Sequence, residues 1–295
     1  MTRPPSVTVI IPTYNSSGTL KLALESVRLQ NYHDYEVWVV GDGCTDDSES
    51  AVASIGDDGF QWLNLPTNSG TPSRPRNEGL SRAKGRYIAY LGHDDLWFPW
   101  HLEGLVRFIE GSGCDFVHSL GAAIAPEGAV SFFSLPESLG IRHGGYSPSN
   151  WLHQRSLVDA IGPWSERTLV SDDLEFLQRV WKHRAKIGFH RELSVLKFPS
   201  AYWKMYSLST DFPQAKYVNA MTRDTTALRD EMLLEFASQL SRQGGAWGKT
   251  SRFSETAHGL ARYLLRLYGY HRWPLNRLSY KRYRRRAGLP PKGKR

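Results

Sequence analysis

Val7-Thr8-Val9-Ile10-Ile11-Pro12-Thr13-Tyr14-Asn15 is the stretch on which the fold turns. Five successive β-branched residues closed by a proline read as a short buried strand, since no polar residue alternates along it. The period then changes. Ser17 is placed to cap a helix whose Leu20, Ala23, Leu24 and Val27 share one face. A second strand is expected over Tyr35 to Val40, stopped by Gly41-Asp42-Gly43, with a helix starting near Thr45-Asp46-Asp47. Phe60 to Leu65 reads as a third strand and Pro66 to Pro75 as a loop. A helix over Arg76 to Ala83 then leads to a fourth strand, Tyr87 to Leu91. Strands alternating with helices imply right-handed crossovers and a mostly parallel sheet flanked by helices, an α/β fold.

In such a sheet, ligands bind beyond the carboxyl ends of the strands. The polar clusters fall there: Thr13-Tyr14-Asn15 after the first strand, Asp42 after the second and His93-Asp94-Asp95 after the fourth. Further on, Pro99 to Glu110 carries Leu102, Leu105, Val106 and Ile109 on one stripe and reads as a helix. Residues 111–150 read as strands and loops. Ser171 to Arg184 reads as a helix with Asp172 and Asp173 in its first turn, and 215–241 and 256–268 as later helices. Gln243-Gly244-Gly245 is a candidate hinge.

Charge divides the chain differently. Residues 262–295 hold twelve of the 37 Lys/Arg and none of the 29 Asp/Glu, which leaves a formal −4 on residues 1–261. The two cysteines, Cys44 and Cys114, are too few for a disulfide framework, and a reducing compartment fits them. No apolar signal region and no run of the roughly 20 apolar residues needed to span a bilayer is found. The expectation is a cytoplasmic protein, soluble or peripheral at the cytoplasmic membrane face.

Five segments carry a family resemblance: Val7 to Asn15; Gly41-Asp42-Gly43-Cys44-Thr45-Asp46-Asp47; Arg76-Asn77-Glu78-Gly79; Gly85 to Asp95; and Ser171-Asp172-Asp173-Leu174-Glu175-Phe176. In this order and spacing they resemble the family 2 glycosyltransferases with the GT-A fold, over roughly residues 6–210. The resemblance implies an inverting transfer of a sugar from a nucleoside-diphosphate donor, UDP-sugar favoured, to a saccharide or lipid-linked acceptor. It implies a GT-A domain over 1–212, with a nucleotide-binding half at 1–110 and an acceptor half at 111–212, followed by a helical extension with a basic tail at 213–295. It places Pro12, Thr13, Tyr14, Asn15, Asp42, Arg76 and Asp94 at the nucleotide, Asp95 on a Mn²⁺ or Mg²⁺ ion, and Asp173 as the general base.

The chemistry asks for these residue types. A departing diphosphate is multiply charged, so a divalent cation with hard oxygen ligands suits it, and phosphates and water fill most of the shell. Displacement at the anomeric carbon needs a base on the opposite face to take the acceptor's proton. Tyr14 can stack on a base and Asp42 can accept from a pyrimidine N–H. A guanidinium fork suits phosphate or base, and Arg74 competes with Arg76 for that role. Each feature also has a plainer reading: Asp94-Asp95 as a helix cap, Asp42 as a turn residue, Asp172-Asp173 as first-turn acids favoured by the helix dipole.

The chain departs from the family pattern where Gly41 and Gly92 stand in place of acids and where Phe198 to Tyr206 offers no histidine; Lys204 is a candidate phosphate contact there. Trp151, Trp164 and Trp203 are either sugar platforms or core. The aromatic, basic segment 262–295 is either solvated or suited to an anionic membrane surface, and no nucleic-acid partner is expected. A catalytically silent sugar-nucleotide-binding or scaffold protein is the alternative. A nucleotidyltransferase is disfavoured, since no cation follows the first strand until Lys21.

Overall fold

Strand β1 (Val7–Thr13) is buried along its whole length. It lies at the centre of a parallel group: Val9 sits opposite Val37 of β2 (Tyr35–Gly41) on one side and Ala89 of β4 (Tyr87–Tyr90) on the other. On the outer side, β3 (Phe60–Asn64) runs parallel to β2. The crossovers are α1 (Ser17–Arg28), α2 (Ser48–Ala53) and α3 (Ser73–Arg82). Thr13 pairs with Gly41 and Gly41 with Asn64, so the residues that follow these strands emerge at one level of one edge. The computed structural model describes residues 3–126, 128–133, 147–167, 172–199 and 212–242.

Past β4 the sheet is mixed. β8 (Trp151–Gln154) runs antiparallel between β4 and β6 (Phe116–Ala125), and β6 pairs in parallel with β9 (Ile187–Lys197). The short β5 (Leu96–Trp97) closes the order β3-β2-β1-β4-β8-β6-β9-β5, while β7 (Gly128–Phe133) pairs with β6. Because β8 reverses direction between them, β9 points the same way as β1, and its last residue, Lys197, reaches the functional edge.

Helix α1 buries Leu20, Ala23, Leu24 and Val27, the stripe its sequence presents. α4 (His101–Ser112) buries Leu102, Leu105, Val106 and Ile109 and ends where Gly113 takes φ +61°. Helix α3 begins three residues earlier than the sequence suggests, with Pro75 inside its first turn, where a missing N–H costs nothing. α5 (Arg155–Ile161) and α6 (Asp172–Lys182) cover the face opposite α1 and α4, over a core of Ile10, Tyr90, Trp151, Trp164 and Phe176. α7 (Gln214–Arg242) is interrupted at Asp224, whose backbone is extended. Its Tyr217, Val218, Met221 and Met232 pack on Leu96, Phe98, Leu196 and Phe198, so this helix is built into the domain. No helix among the described residues is long and apolar enough to cross a membrane. The hinge at 243–245, the helix at 256–268 and the basic tail lie outside the described residues.

Two glycines separate packing from propensity. A Cβ on Gly85 would stand 2.4 Å from the Thr8 nitrogen and 2.6 Å from the Val7 carbonyl carbon, whereas one on Gly111, in α4, meets nothing within 4 Å. Gly85→Ala should therefore cost about 1–3 kcal/mol by forcing backbone apart. Gly111→Ala should gain roughly 0.5–1 kcal/mol by favouring helix. Denaturant unfolding of both variants checks the pair; shifts of the same sign would contradict this packing.

Candidate active site

The β1 and β2 ends are knitted into one rim. Asp42 N–H donates to the Thr13 carbonyl at 2.8 Å, and Asn15, with φ +43°, exchanges hydrogen bonds with Thr45. Asn64 brackets Cys44 by accepting from its N–H and donating to its carbonyl, both at 2.8 Å. Gly43, at φ +75°, leaves room for the backbone of Thr67 and Asn68. Gly41 has no room for an acid: a Cβ there would lie 2.6 Å from Asn64 Oδ1 and 2.7 Å from the Trp62 ring. The Thr13 hydroxyl is buried with no hydrogen-bond partner, a donor left for something that enters from the cleft. Tyr14 is half-buried on the same rim.

Asp42 is almost fully enclosed, and its carboxylate accepts from the Ser69 N–H, the Ser69 hydroxyl and the Gly70 N–H. Burial raises its pKa against these bonds and the nearby Arg74 charge. Asp42 thus holds the loop at Ser69 and Gly70 in place. Arg74 stands on this side of the site, whereas Arg76 does not.

The first acidic pair divides its labour. Asp95 is 1% exposed; its Oδ2 accepts from Ser149 Oγ at 2.5 Å and Lys197 Nζ at 3.2 Å, and its Oδ1 from the Phe198 N–H at 3.3 Å. Both oxygens of Asp95, which the resemblance placed on the metal, thus carry hydrogen bonds to the protein itself. Asp94 is half-buried, and its backbone carbonyl is held by Gln214 Nε2 at 3.0 Å. A Cβ at Gly92 would lie 3.0 Å from both Asp94 Oδ1 and Asp95 Oδ2, so the missing side chain leaves a small cradle beside the Asp94 carboxylate. That cradle, lined by one hard oxygen from each aspartate, fits a divalent cation. His93 is turned away from it, its Nδ1 donating to the Pro12 carbonyl at 3.2 Å.

The second acidic pair divides in the same way. Arg76 Nη1 donates to Asp172 Oδ2 at 2.7 Å, Ser73 Oγ joins at 3.1 Å, and the guanidinium lies 4.3 Å over the Trp164 ring. Arg76 therefore ties α3 to α6; its Nε is buried without a partner. Asp173 accepts at Oδ1 from the Leu174 N–H at 2.8 Å. Burial, then the adjacent Asp172 charge, lifts its pKa to about 6, against smaller pulls from Arg76 and Lys197.

Lys197 joins the two pairs. Burial opposes its charge, but Asp95 and Asp94, with Asp173 contributing, outweigh it and hold its pKa above the usual value. One ammonium thus feels both acidic motifs, which lie about 78 residues apart in sequence. Both motifs therefore lie within electrostatic reach of that ammonium.

Residues 8–136 match the glycosyl transferase family 2. Over this segment the chain is similar to the family 2 glycosyl transferases. It is 37% identical over 127 residues to an uncharacterized glycosyltransferase of Rickettsia bellii, covering 43% of this chain and 18% of that protein. It is 28% identical over 133 residues to the UDP-Glc:alpha-D-GlcNAc-diphosphoundecaprenol beta-1,3-glucosyltransferase WfgD of Escherichia coli, covering 45% of this chain and 52% of that protein. The chain thus spans only part of these relatives' length. S. aureus TarS 1-349, solved with UDP-GlcNAc, superposes with a TM-score of 0.58 at 20% identity over 85% of this chain and 77% of that one, and the fold is GT-A.

Within this GT-A domain, Trp151 and Trp164 are core: their rings stack at 5.8 Å, with Phe176 4.4 Å from Trp164. Trp203 and Lys204 lie outside the described residues. Ser69, Ser149 and Lys197 escaped the sequence reading because none sits in a motif. The only signal for Lys197 was a cation ending an apolar strand.

Removing the Arg76 guanidinium leaves Asp172 largely buried without its counter-charge; the two side chains are 11% and 16% exposed. Arg76→Gln should destabilise by about 3 kcal/mol, read as a lower midpoint in denaturant unfolding. An unchanged midpoint would mean that the pair does not hold α3 to α6.

Proposed function

We propose that this chain transfers a sugar from a nucleoside-diphosphate donor to a hydroxyl of a saccharide or lipid-linked acceptor, inverting the anomeric centre. The observation that carries this is the meeting of Asp94 and Asp173 about Lys197, with Asp173 tuned near neutrality. In this reading the nucleoside lies on the rim of Pro12, Thr13, Tyr14 and Asn15, with Asp42 and Arg74 at the base and uracil the first base to try. Arg76 serves by fixing α6. Asp173 takes the proton of the acceptor hydroxyl as its oxygen bonds to the anomeric carbon. The bond from that carbon to the diphosphate breaks on the far side, and the nucleoside diphosphate leaves. A divalent cation held by Asp94 would supply charge neutralisation to the diphosphate. The basic 262–295 segment would hold the domain to an anionic membrane surface, near a lipid-linked acceptor.

A base with a pKa near 6 is well matched to neutral pH. Asp173→Asn should lower transfer by roughly 10²–10⁴-fold while nucleoside-diphosphate affinity, measured calorimetrically, stays within about twofold. In the wild type, kcat/KM should fall about tenfold per pH unit below about 6 and level off above it, since only the ionised carboxylate accepts a proton. Full activity in the variant would remove Asp173 as base. Binding of nucleotide sugars by the wild type with no transfer or hydrolysis would favour the silent alternative, which the internal saturation of Asp42 and Asp95 makes worth testing.

A further inference from the structure

Lys197 is a cation at this edge that belongs to no motif yet touches the centre of the site. It ends β9, which runs in the same direction as β1 and β4 and is separated from β4 by β8 and β6. Its Nζ stands 3.2 Å from Asp95 Oδ2, with 36% of its side chain exposed against 1% for Asp95. The aspartate behind it is sealed, while the lysine faces outward. An ammonium has three donors, and one contact to Asp95 does not use them all. Asp95 itself is held from behind by Ser149, whose carbonyl is fixed by Trp97 Nε1 at 2.7 Å. The charge is thus mounted on a rigid, buried support.

We infer that Lys197 is a diphosphate-binding residue, a built-in cation whose ammonium pairs with the donor's phosphates and so gives this site a share of diphosphate affinity that needs no metal. The inference rests on the glycosyl-transfer reading for its donor, but its chemistry asks only for a diphosphate. Two features support it. First, the Nζ lies against Asp95 Oδ2, one of the two carboxylate oxygens that border the Gly92 space, so the ammonium stands where the diphosphate of the donor would meet these acids. Second, Asp94, Asp95 and Asp173 all act on the Lys197 ammonium, so a bare diphosphate arriving beside it would meet their repulsion, which the ammonium offsets. The lysine offsets the field that the chemistry requires.

Titration of inorganic pyrophosphate into the full-length protein in EDTA isolates this contribution. The wild type should bind, and Lys197→Gln should bind at least tenfold more weakly, with Lys197→Arg close to wild type. Since Lys197→Gln strips Asp95 of its counter-charge, the double variant D95N/K197Q removes both charges together and should show the same loss. Asp95→Asn alone, which frees the lysine, should bind pyrophosphate at least as tightly as the wild type; a purely structural lysine would give weaker binding there. No pyrophosphate binding by the wild type in EDTA, or equal binding by the wild type and D95N/K197Q, overturns the inference. UDP and GDP titrated in the same buffer test the donor reading separately: lysine-dependent pyrophosphate binding with neither nucleotide bound would keep Lys197 and sink the transferase.

Discussion

The Arg76–Asp172 ion pair sets the geometry on which the site depends. It joins the first turn of α3, which follows the nucleotide rim, to the first turn of α6, which carries the candidate base. The guanidinium is anchored on three sides: by Asp172, by the Trp164 ring below it and by the helix from which it grows. Planar stacking and a directed hydrogen bond leave it little freedom, which is what arginine offers and lysine would not. Trp164 is itself locked between Trp151 and Phe176, so the aromatic core under α5 and α6 transmits its rigidity to the site.

A second support lies behind Asp95. A buried carboxylate is tolerable only when its charge and lone pairs are met. Here a polar chain runs from Asp95 to Ser149, while Asn150 donates to the Ser119 carbonyl and Ser119 shares a hydrogen bond with Ser194, which meets His101 Nδ1 at 2.8 Å. His101 stacks on Trp97 at 4.3 Å, and burial keeps the imidazole neutral, its pKa well below the usual value. This network joins β5, β6, α4, β9 and the short helical turn Pro148–Asn150. It explains why strands of little sequence character are needed to finish a site whose motifs come mainly from the first half of the chain.

How much of this was legible follows from the range of each interaction. The parallel half could be read because its strands and helices carry their periodicity locally: five β-branched residues make β1, and a 3.6-residue stripe makes α1. β8, β9 and α5 could not, since Trp151 to Gln154 becomes a strand only by pairing with β4 and β6, which lie far away in sequence. The same holds within the site. Asp42, Asp94 and Asp173 stand at element ends that local pattern marks. The enclosure of Asp95 depends on Ser149 and Lys197, 54 and 102 residues away. Composition cannot tell which of two adjacent aspartates will be sealed.

The two acidic motifs share one design. In each, one aspartate is bound by a cation of the protein itself: Asp95 by Lys197, Asp172 by Arg76. The bound member is structural, fixing the backbone that presents its neighbour. The neighbour, Asp94 or Asp173, is left to the cleft. Like charges one residue apart raise the cost of ionising both, and here that cost falls usefully: burial, and then the Asp172 charge, lift Asp173 to about 6, where a carboxylate can accept a proton at neutral pH and release it again. A lone aspartate at either place would be less firmly held, and at position 173 it would also be a weaker base. The pairing of acids in these motifs then has a physical reason beyond metal binding: one carboxylate positions the other and tunes it.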